Sequence, residues 1–219
     1  MLVADHKYHA VILAAGLSSR AGAFKMELPI GGRPLLHHVL ASTIGSVASI
    51  IVVTGHEAGR VERLVAGFRT EHSPPIPLTL CHNPLYQEGM FTSVLAGLRA
   101  VPAGEAALLQ PGDSPLVQPA TWLRLIERAE AGPAPAVLIP VCDGKKGHPV
   151  LLPPGVVAAL TGYHGDGRSG TLKEALACYP QAFVEIDDQG VLVDLDTPDD
   201  YLRIQRLAGV HFDTDADRD

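Results

Sequence analysis

The sequence is poor in the features that mark several large classes of protein. Aromatic residues make up 5% of its 219 residues, and there are 3 cysteines, Cys81, Cys142 and Cys178. Three cysteines without a C-x-x-C pair form neither a disulfide framework nor a zinc ligand set, so they predict reduced thiols. The first residues lack the apolar core of a signal peptide, and no apolar run reaches the length of a membrane span. We therefore expect a cytoplasmic protein without a membrane partner.

An excess of positive charge is also missing. The chain has 17 Lys and Arg against 24 Asp and Glu, which gives a net charge of −7 at pH 7. Proteins that bind nucleic acid usually present a basic face, so this balance argues against such a partner. Hydrophobic residues make up 47% of the chain, enough for the core of one α/β domain.

Apolar runs of strand length alternate with helical apolar stripes along the chain. Strands are predicted at 10–15, 49–54, 78–82, 106–110, 136–141, 149–152 and 182–186, and helices at 34–43, 57–68, 90–101, 119–131, 171–179 and 198–208. This alternation predicts a three-layer α/β fold with a mostly parallel sheet, which binds its ligand beyond the carboxyl ends of the strands. We expect a single domain over residues 1–208 and an acidic, flexible tail over 209–219.

The segment from His9 to Lys25, HAVILAAGLSSRAGAFK, joins a buried strand to a loop of small and basic residues. Neither G-x-x-x-x-G-K-[ST] nor G-x-G-x-x-G is present. Small residues let backbone N–H groups approach phosphate oxygens, and Arg20 and Lys25 would offset the phosphate charge. An ordinary strand-to-helix turn with exposed basic residues explains the loop alone equally well.

Two acidic segments contain carboxylates near the ends of predicted elements. Asp113, in PGDSPLV, follows a predicted strand and could hold Mg²⁺ against phosphate oxygens, although capping of a turn is a common use of Asp. Asp196, in VDLDTPDDY, precedes Thr197, a good N-cap for the last helix. This N-cap does not account for Asp196, and strand alternation would place Asp194, two residues earlier, on the same face as Asp196.

The pattern L-A-A-G-x-S-x-R-x-G-x-x-K resembles the signature of the MobA-like nucleotidyltransferases, which share the fold of the nucleotide-diphospho-sugar transferases. Its Ala-Ala-Gly form is similar to the molybdenum cofactor cytidylyltransferase branch, although Ala21 stands where the family usually carries Met. Four further segments resemble the family: G-D-x-P at Asp113, D-T-P-[DE]-D at Asp196, N-x-x-[YF]-x-x-G-M-x-x-S from Asn83 to Ser93, and G-H-P-V-L around His148.

The resemblance implies a Mg²⁺-dependent enzyme that transfers CMP from CTP to the phosphate of molybdenum-bound molybdopterin. The products would be molybdopterin cytosine dinucleotide and pyrophosphate, and a molybdoenzyme that receives the cofactor is a further expected partner. The implied catalytic residues are Arg20, Lys25 and Asp113, and Asp113 and Asp196 would bind the metal. Asp194 competes with Asp196 as the second ligand. Lys146 and His148 would meet the acceptor. The implied nucleotide-binding residues are Leu13, Ala14, Ala15, Gly16, Ser18, Arg20, Lys25, Asn83, Gly89 and Ser93.

Three alternatives stay open at this point. The same fold could act on another nucleotide or acceptor, such as GTP with molybdopterin, or a sugar phosphate. A non-catalytic chaperone that delivers the cofactor would bind nucleotide without turnover. A Rossmann-like oxidoreductase is disfavoured because the chain lacks G-x-G-x-x-G.

Overall fold

The computed structural model describes residues 7–16, 24–132, 136–162 and 170–213, with backbone alone for 210–213. Its strands are β1 (Tyr8–Ala14), β2 (Pro29–Ile30), β3 (Arg33–Pro34), β4 (Ser49–Thr54), β5 (Leu78–His82), β6 (Ala106–Pro111), β7 (Val137–Cys142), β8 (Lys145–Lys146), β9 (Val150–Leu152) and β10 (Gln181–Glu185). Its helices are α1 (Leu35–Thr43), α2 (Ala58–His72), α3 (Met90–Arg99), α4 (Pro119–Glu130), α5 (Pro154–Thr161), α6 (Leu172–Leu176) and α7 (Pro198–Asp213). Within the described residues, no helix is both long and apolar enough to cross a bilayer.

The strands form an 8-stranded sheet in the order β10-β7-β9-β6-β1-β4-β5, with β8 paired to β7. Strands β1, β4, β5 and β6 are mutually parallel, as β10 and β7 are, whereas β9 is antiparallel to β6 and β7. The mostly parallel sheet predicted from the sequence is therefore confirmed. Strands β2 and β3 form a separate antiparallel pair.

Alternating side chains of each strand feed two separate cores. On one face Ile12, Ile50 and Leu108 pack with α1, α2, α4 and α7, and on the other Val11, Ile51 and Leu109 pack with α3, α5 and α6. A central strand covered on both faces is apolar throughout, which is why the strands read as continuous hydrophobic runs. Each fully buried Leu, Ile or Val contributes about 1.5–3 kcal/mol to stability.

The largest departures from the predicted elements lie towards the carboxyl terminus. Helix α5 was not predicted, because the sequence of residues 153–155, Pro-Pro-Gly, is typical of a loop. Proline is nevertheless well tolerated in the first turn of a helix. Helix α7 continues to Asp213, past the predicted end at residue 208. Gly209 has a low helix propensity but keeps its N–H group, so it does not stop the helix.

Candidate active site

Strand β1 lies between β4 and β6, at the point where the strand order of the sheet reverses. The chain runs from β1 through β4 to β5 on one side of the sheet, and it returns to β6 on the other side. Such a switch point opens a crevice beyond the carboxyl ends of the strands. A cavity of about 290 Å³ lies there, lined by Leu13, Ala15, Gly16, Lys25, Met26, Tyr86, Gln87, Gly89, Met90, Ser93, Pro111 and Asp113.

Two glycines let the cavity walls come together. The N–H of Gly112 donates to the carbonyl oxygen of Leu13 at 2.9 Å, and a Cβ at position 112 would stand 2.9 Å from the same oxygen. A Cβ at Gly55 would lie 2.5 Å from the Cβ of Tyr86, whose ring faces His56 at 6.1 Å between centroids. Side chains at these two positions would therefore displace Asp113 or the tyrosine wall.

The charged centre of the site is the Lys25 ammonium. Lys25 begins a short 3₁₀ turn, and its side chain is 10% exposed. Its Nζ lies 2.9 Å from Oδ1 of Asp196 and 3.3 Å from Oδ2 of Asp113. One cation from the amino-terminal part of the chain thus joins a carboxylate from its middle and a carboxylate from its carboxyl-terminal part, beside the cavity.

Burial and charge act against each other at this centre. Burial alone would lower the pKa of Lys25, but the hydrogen bonds and charges of Asp196 and Asp113 outweigh it, and the pKa is raised. For Asp113, burial raises the pKa, and the charge of Asp194 adds to this effect against the opposing charge of Lys25. Lys25 therefore remains cationic at neutral pH, and its charge favours the ionised form of the Asp113 carboxyl against the effect of burial.

The backbone fixes Asp196 relative to Asp113. The N–H of Leu195 donates to the carbonyl oxygen of Asp113 at 2.9 Å, which ties the two acidic segments together. Thr197 and Asp200 cap helix α7 reciprocally, and the Asp200 carboxylate also accepts the N–H of Asp196 at 3.2 Å. This capping accounts for Asp200, which we therefore exclude from the chemistry.

Asp194 has a different partner from Asp196. Its Oδ1 accepts a short hydrogen bond from the Ser114 hydroxyl, and no contact with Lys25 is found in the described part of the chain. The structure therefore brings Asp196, rather than Asp194, to the lysine and Asp113.

The donor set suits a divalent cation bound together with phosphate. Asp113 and Asp196 already share one cationic partner, and Mg²⁺ prefers carboxylate oxygens completed by water and phosphate oxygens. Within the described residues there is no group of three or more His, Cys, Asp or Glu that could hold a metal without such help. The two aspartates fit a metal that arrives with its substrate.

The predicted nucleotide-binding residues divide into three groups. Leu13, Ala15, Gly16, Lys25, Gly89 and Ser93 line the cavity. Ala14 and Asn83 are buried outside its lining, Ala14 in the core beneath α1. Ser18 and Arg20 lie outside the described residues.

The two predicted acceptor residues also lie apart from the cavity lining. Lys146 is exposed, and its Nζ stands 4.5 Å from the centroid of the Phe183 ring. His148 donates its backbone N–H to Val191, and its buried Nδ1 has no hydrogen-bond partner in the described part of the chain. Burial lowers the pKa of His148, partly opposed by the charge of Asp194.

Five lining residues were missed by the sequence analysis: Met26 and Pro111, and three residues of one loop, Tyr86, Gln87 and Met90. The motif from Asn83 to Ser93 contains the last three, but it does not show which side chains face the ligand. Met90 keeps 72% of its surface exposed at the start of α3, an unusual place for a large apolar side chain. Tyr86 and Met90 add apolar surface to the wall of the cavity.

A larger cavity, of about 390 Å³, lies at the opposite edge of the sheet. Its described lining includes Lys7, Tyr8 and Arg128 among small apolar residues, and it contains no carboxylate. Because cation, carboxylates and the switch point coincide at the smaller cavity, we assign the chemistry there.

The fold and the site together define a nucleotidyltransferase. The chain belongs to the family of the MobA-like NTP transferase domain, whose model matches residues 10–181. It is 30% identical to the molybdenum cofactor cytidylyltransferase of Escherichia coli K12 over 88% of this chain and 92% of that protein.

Solved structures agree with this assignment. A nucleotidyl transferase from Methanothermobacter thermautotrophicus is 26% identical, with a TM-score of 0.72 over 92% of this chain and 97% of that one. Rv0371c of Mycobacterium tuberculosis H37Rv is 27% identical, with a TM-score of 0.70 over 91% of this chain and 97% of that one. Rv0371c has also been solved in complex with manganese. The resemblance and the fold predicted from the sequence are confirmed.

Proposed function

We propose that this protein is a cytidylyltransferase that joins CMP from CTP to the phosphate of a molybdopterin-type acceptor, and that it requires a divalent cation. The observation that carries the proposal is the convergence of Lys25, Asp113 and Asp196 beside a cavity at the switch point of the sheet. The similarity to the Escherichia coli cytidylyltransferase supports the choice of nucleotide and acceptor.

The transfer forms a bond between an acceptor phosphate oxygen and the α-phosphorus of CTP, and it breaks the bond to the β-phosphate, so pyrophosphate leaves. The attacking oxygen is already anionic at neutral pH, so the reaction rests on positioning and on stabilisation of phosphate charge. A magnesium ion held by Asp113 and Asp196 would offset negative charge on the phosphate oxygens.

Lys25 supplies the fixed positive charge of the site. Its ammonium lies at the cavity, and its neighbours keep it protonated. In this proposal it holds the triphosphate and stabilises the leaving pyrophosphate, together with Arg20. The backbone of Leu13 to Gly16, with Gly89 and Ser93, binds the nucleoside.

A direct assay tests the proposal. The purified protein is incubated with molybdenum-bound molybdopterin, Mg²⁺ and either CTP, GTP, UTP or ATP, and both dinucleotide product and pyrophosphate are measured. We expect product with CTP and at most a few per cent of that rate with the other nucleotides. Product with GTP instead would keep the chemistry and change the nucleotide. Nucleotide binding without turnover would favour the delivery chaperone.

A further inference from the structure

Asn83 is a buried polar residue that does not line the cavity. It follows β5 at the carboxyl edge of the sheet and is 2% exposed. Its side-chain amide makes three hydrogen bonds, all within the protein: to the N–H of Leu85 and to the hydroxyl oxygens of Thr92 and Ser93. The resemblance implied that Asn83 binds nucleotide directly, and these contacts indicate an indirect role.

The orientation of the Asn83 amide follows from its partners. A backbone N–H can only donate, so the atom that Leu85 N approaches at 3.0 Å must be the carbonyl oxygen Oδ1. The two hydrogens of Nδ2 then point to Thr92 Oγ1 at 2.8 Å and Ser93 Oγ at 2.9 Å. Both hydroxyl oxygens therefore act as acceptors towards Asn83.

The two hydroxyl groups differ in where their own hydrogens go. Thr92 donates back to the carbonyl oxygens of Gly89 and Leu85, at 2.8 and 3.0 Å. Ser93 lines the cavity, and within the described residues its hydroxyl donates to no acceptor. The hydrogen of Ser93 is thus available to the cavity.

We infer that Asn83 is a positioning residue that makes Ser93 a hydrogen-bond donor towards the nucleotide. By donating to Ser93 Oγ, Asn83 keeps the serine hydrogen out of the protein interior and leaves it for an acceptor oxygen or nitrogen of the ligand. This inference rests on the proposed function, because it concerns the same nucleotide site.

Replacing Asn83 by aspartate reverses the direction of these hydrogen bonds. The introduced carboxylate would still accept the Leu85 N–H, but it would accept from Ser93 instead of donating to it. The Ser93 hydroxyl would turn inward and be lost to the ligand. We expect the Kd for CTP with Mg²⁺ to rise about tenfold in Asn83→Asp, as in Ser93→Ala, because each variant removes one hydrogen bond.

The double variant separates this effect from the added negative charge. If Asn83 acts through Ser93, Asn83→Asp combined with Ser93→Ala binds CTP no more weakly than either single variant. If the carboxylate merely repels the anionic nucleotide or loosens the fold, the two losses multiply to about a hundredfold. Multiplication of the losses, or wild-type affinity in Asn83→Asp, would overturn the inference.

Thr92→Val provides a matched control. This variant removes the other hydroxyl partner of Asn83 and keeps the shape of the side chain. In the wild-type protein, the Thr92 hydroxyl is directed at the carbonyl oxygens of Leu85 and Gly89 in the loop. We expect lower thermal stability and a Kd within about twofold of wild type. A tenfold rise in Kd here would contradict the inference, whereas a wild-type protein that binds no nucleotide would contradict the proposed function as well.

Discussion

The two edges of the central sheet both contain polar side chains among apolar strands, but they arrange them differently. At the amino edge, His9 bonds Ser49 on one ring nitrogen and Glu105 on the other, and the three groups satisfy one another. At the carboxyl edge, Lys25 and Asp113 also form an ion pair, yet both line a cavity.

The difference lies in what the polar groups face. His9 joins the beginnings of β1, β4 and β6 and is 4% exposed. Asp113 keeps a pKa that burial has raised, which means that the fold holds this carboxylate at some energetic cost. A polar cluster that links strands stabilises the fold, whereas a buried carboxylate with a raised pKa that lines a cavity is typical of a binding site.

The largest expected effect is that of Asp113→Asn. Turnover should fall by at least about 100-fold, because in the proposed function this carboxylate would hold the metal that offsets the phosphate charge. Stability should not fall, because the substitution also removes a buried carboxylate with a raised pKa. Pyrophosphate release and thermal unfolding measure the two quantities, and a variant with near-normal turnover would be inconsistent with the site.

The next comparison is Asp196→Asn against Asp194→Asn. Asp196 contacts Lys25 and Asp194 contacts Ser114, so the first change should weaken Mn²⁺ binding in the presence of CTP at least tenfold. The second change should leave Mn²⁺ binding within about twofold. It should lower the free energy of unfolding by only about 1 kcal/mol, because asparagine keeps an acceptor oxygen for Ser114 and loses only the charge of the carboxylate. Titration of both variants with Mn²⁺ in the presence of CTP measures the two affinities. A larger loss of affinity in Asp194→Asn than in Asp196→Asn would make Asp194 the ligand.

At the amino edge, His9→Leu should separate stability from function. Leucine has an apolar side chain of similar size to that of histidine, but it leaves Ser49 and Glu105 without their common hydrogen-bond partner. We expect the free energy of unfolding to fall by roughly 1–3 kcal/mol. Turnover and the KM for CTP should stay within twofold, and a selective loss of turnover would contradict the assignment of the chemistry to the carboxyl edge.

The smallest effect concerns an ion pair near the site. Arg60 donates to Glu27 at 2.9 Å, and this hydrogen bond, partly opposed by burial, lowers the pKa of Glu27 from its ordinary value of 4.5. A carboxylate whose pKa is lower in the folded than in the unfolded protein stabilises the fold at pH values above its unfolded-state pKa. That stabilisation is lost as the pH falls through its folded-state pKa. Wild type should therefore be slightly more stable than Glu27→Gln at pH 7, and the difference should vanish in strong acid. A constant difference in urea midpoint from pH 7 to pH 2 would show that the pair is not its source.

Much of the site could be predicted because parallel strands bring their carboxyl ends to one edge. Asp113 directly follows a buried strand, and β6 places it at that edge as expected. The N-cap role of Thr197 was also predictable from local sequence, because the N–H of Asp200 that it accepts lies within the first helical turn.

The remainder depended on contacts that sequence alone does not specify. Lys25 and Asp196 are 171 positions apart, so nothing local indicated that they touch. The motif around Asn83 marked the correct loop, but the inward direction of its amide depends on Leu85, Thr92 and Ser93 together. The packing of Tyr86 against Gly55 likewise joins two loops that follow different strands.

The most direct test of the central claim is thermal unfolding of the wild-type protein and Asp113→Asn with CTP, GTP, UTP or ATP, each with and without Mg²⁺. A nucleotide at about a hundred times its Kd stabilises the folded state by roughly 2.7 kcal/mol. We expect a Mg²⁺-dependent rise in Tm with CTP for wild type and loss of the Mg²⁺ dependence in Asp113→Asn. An equal, Mg²⁺-dependent rise in both proteins would contradict the placement of metal and nucleotide at this edge of the sheet.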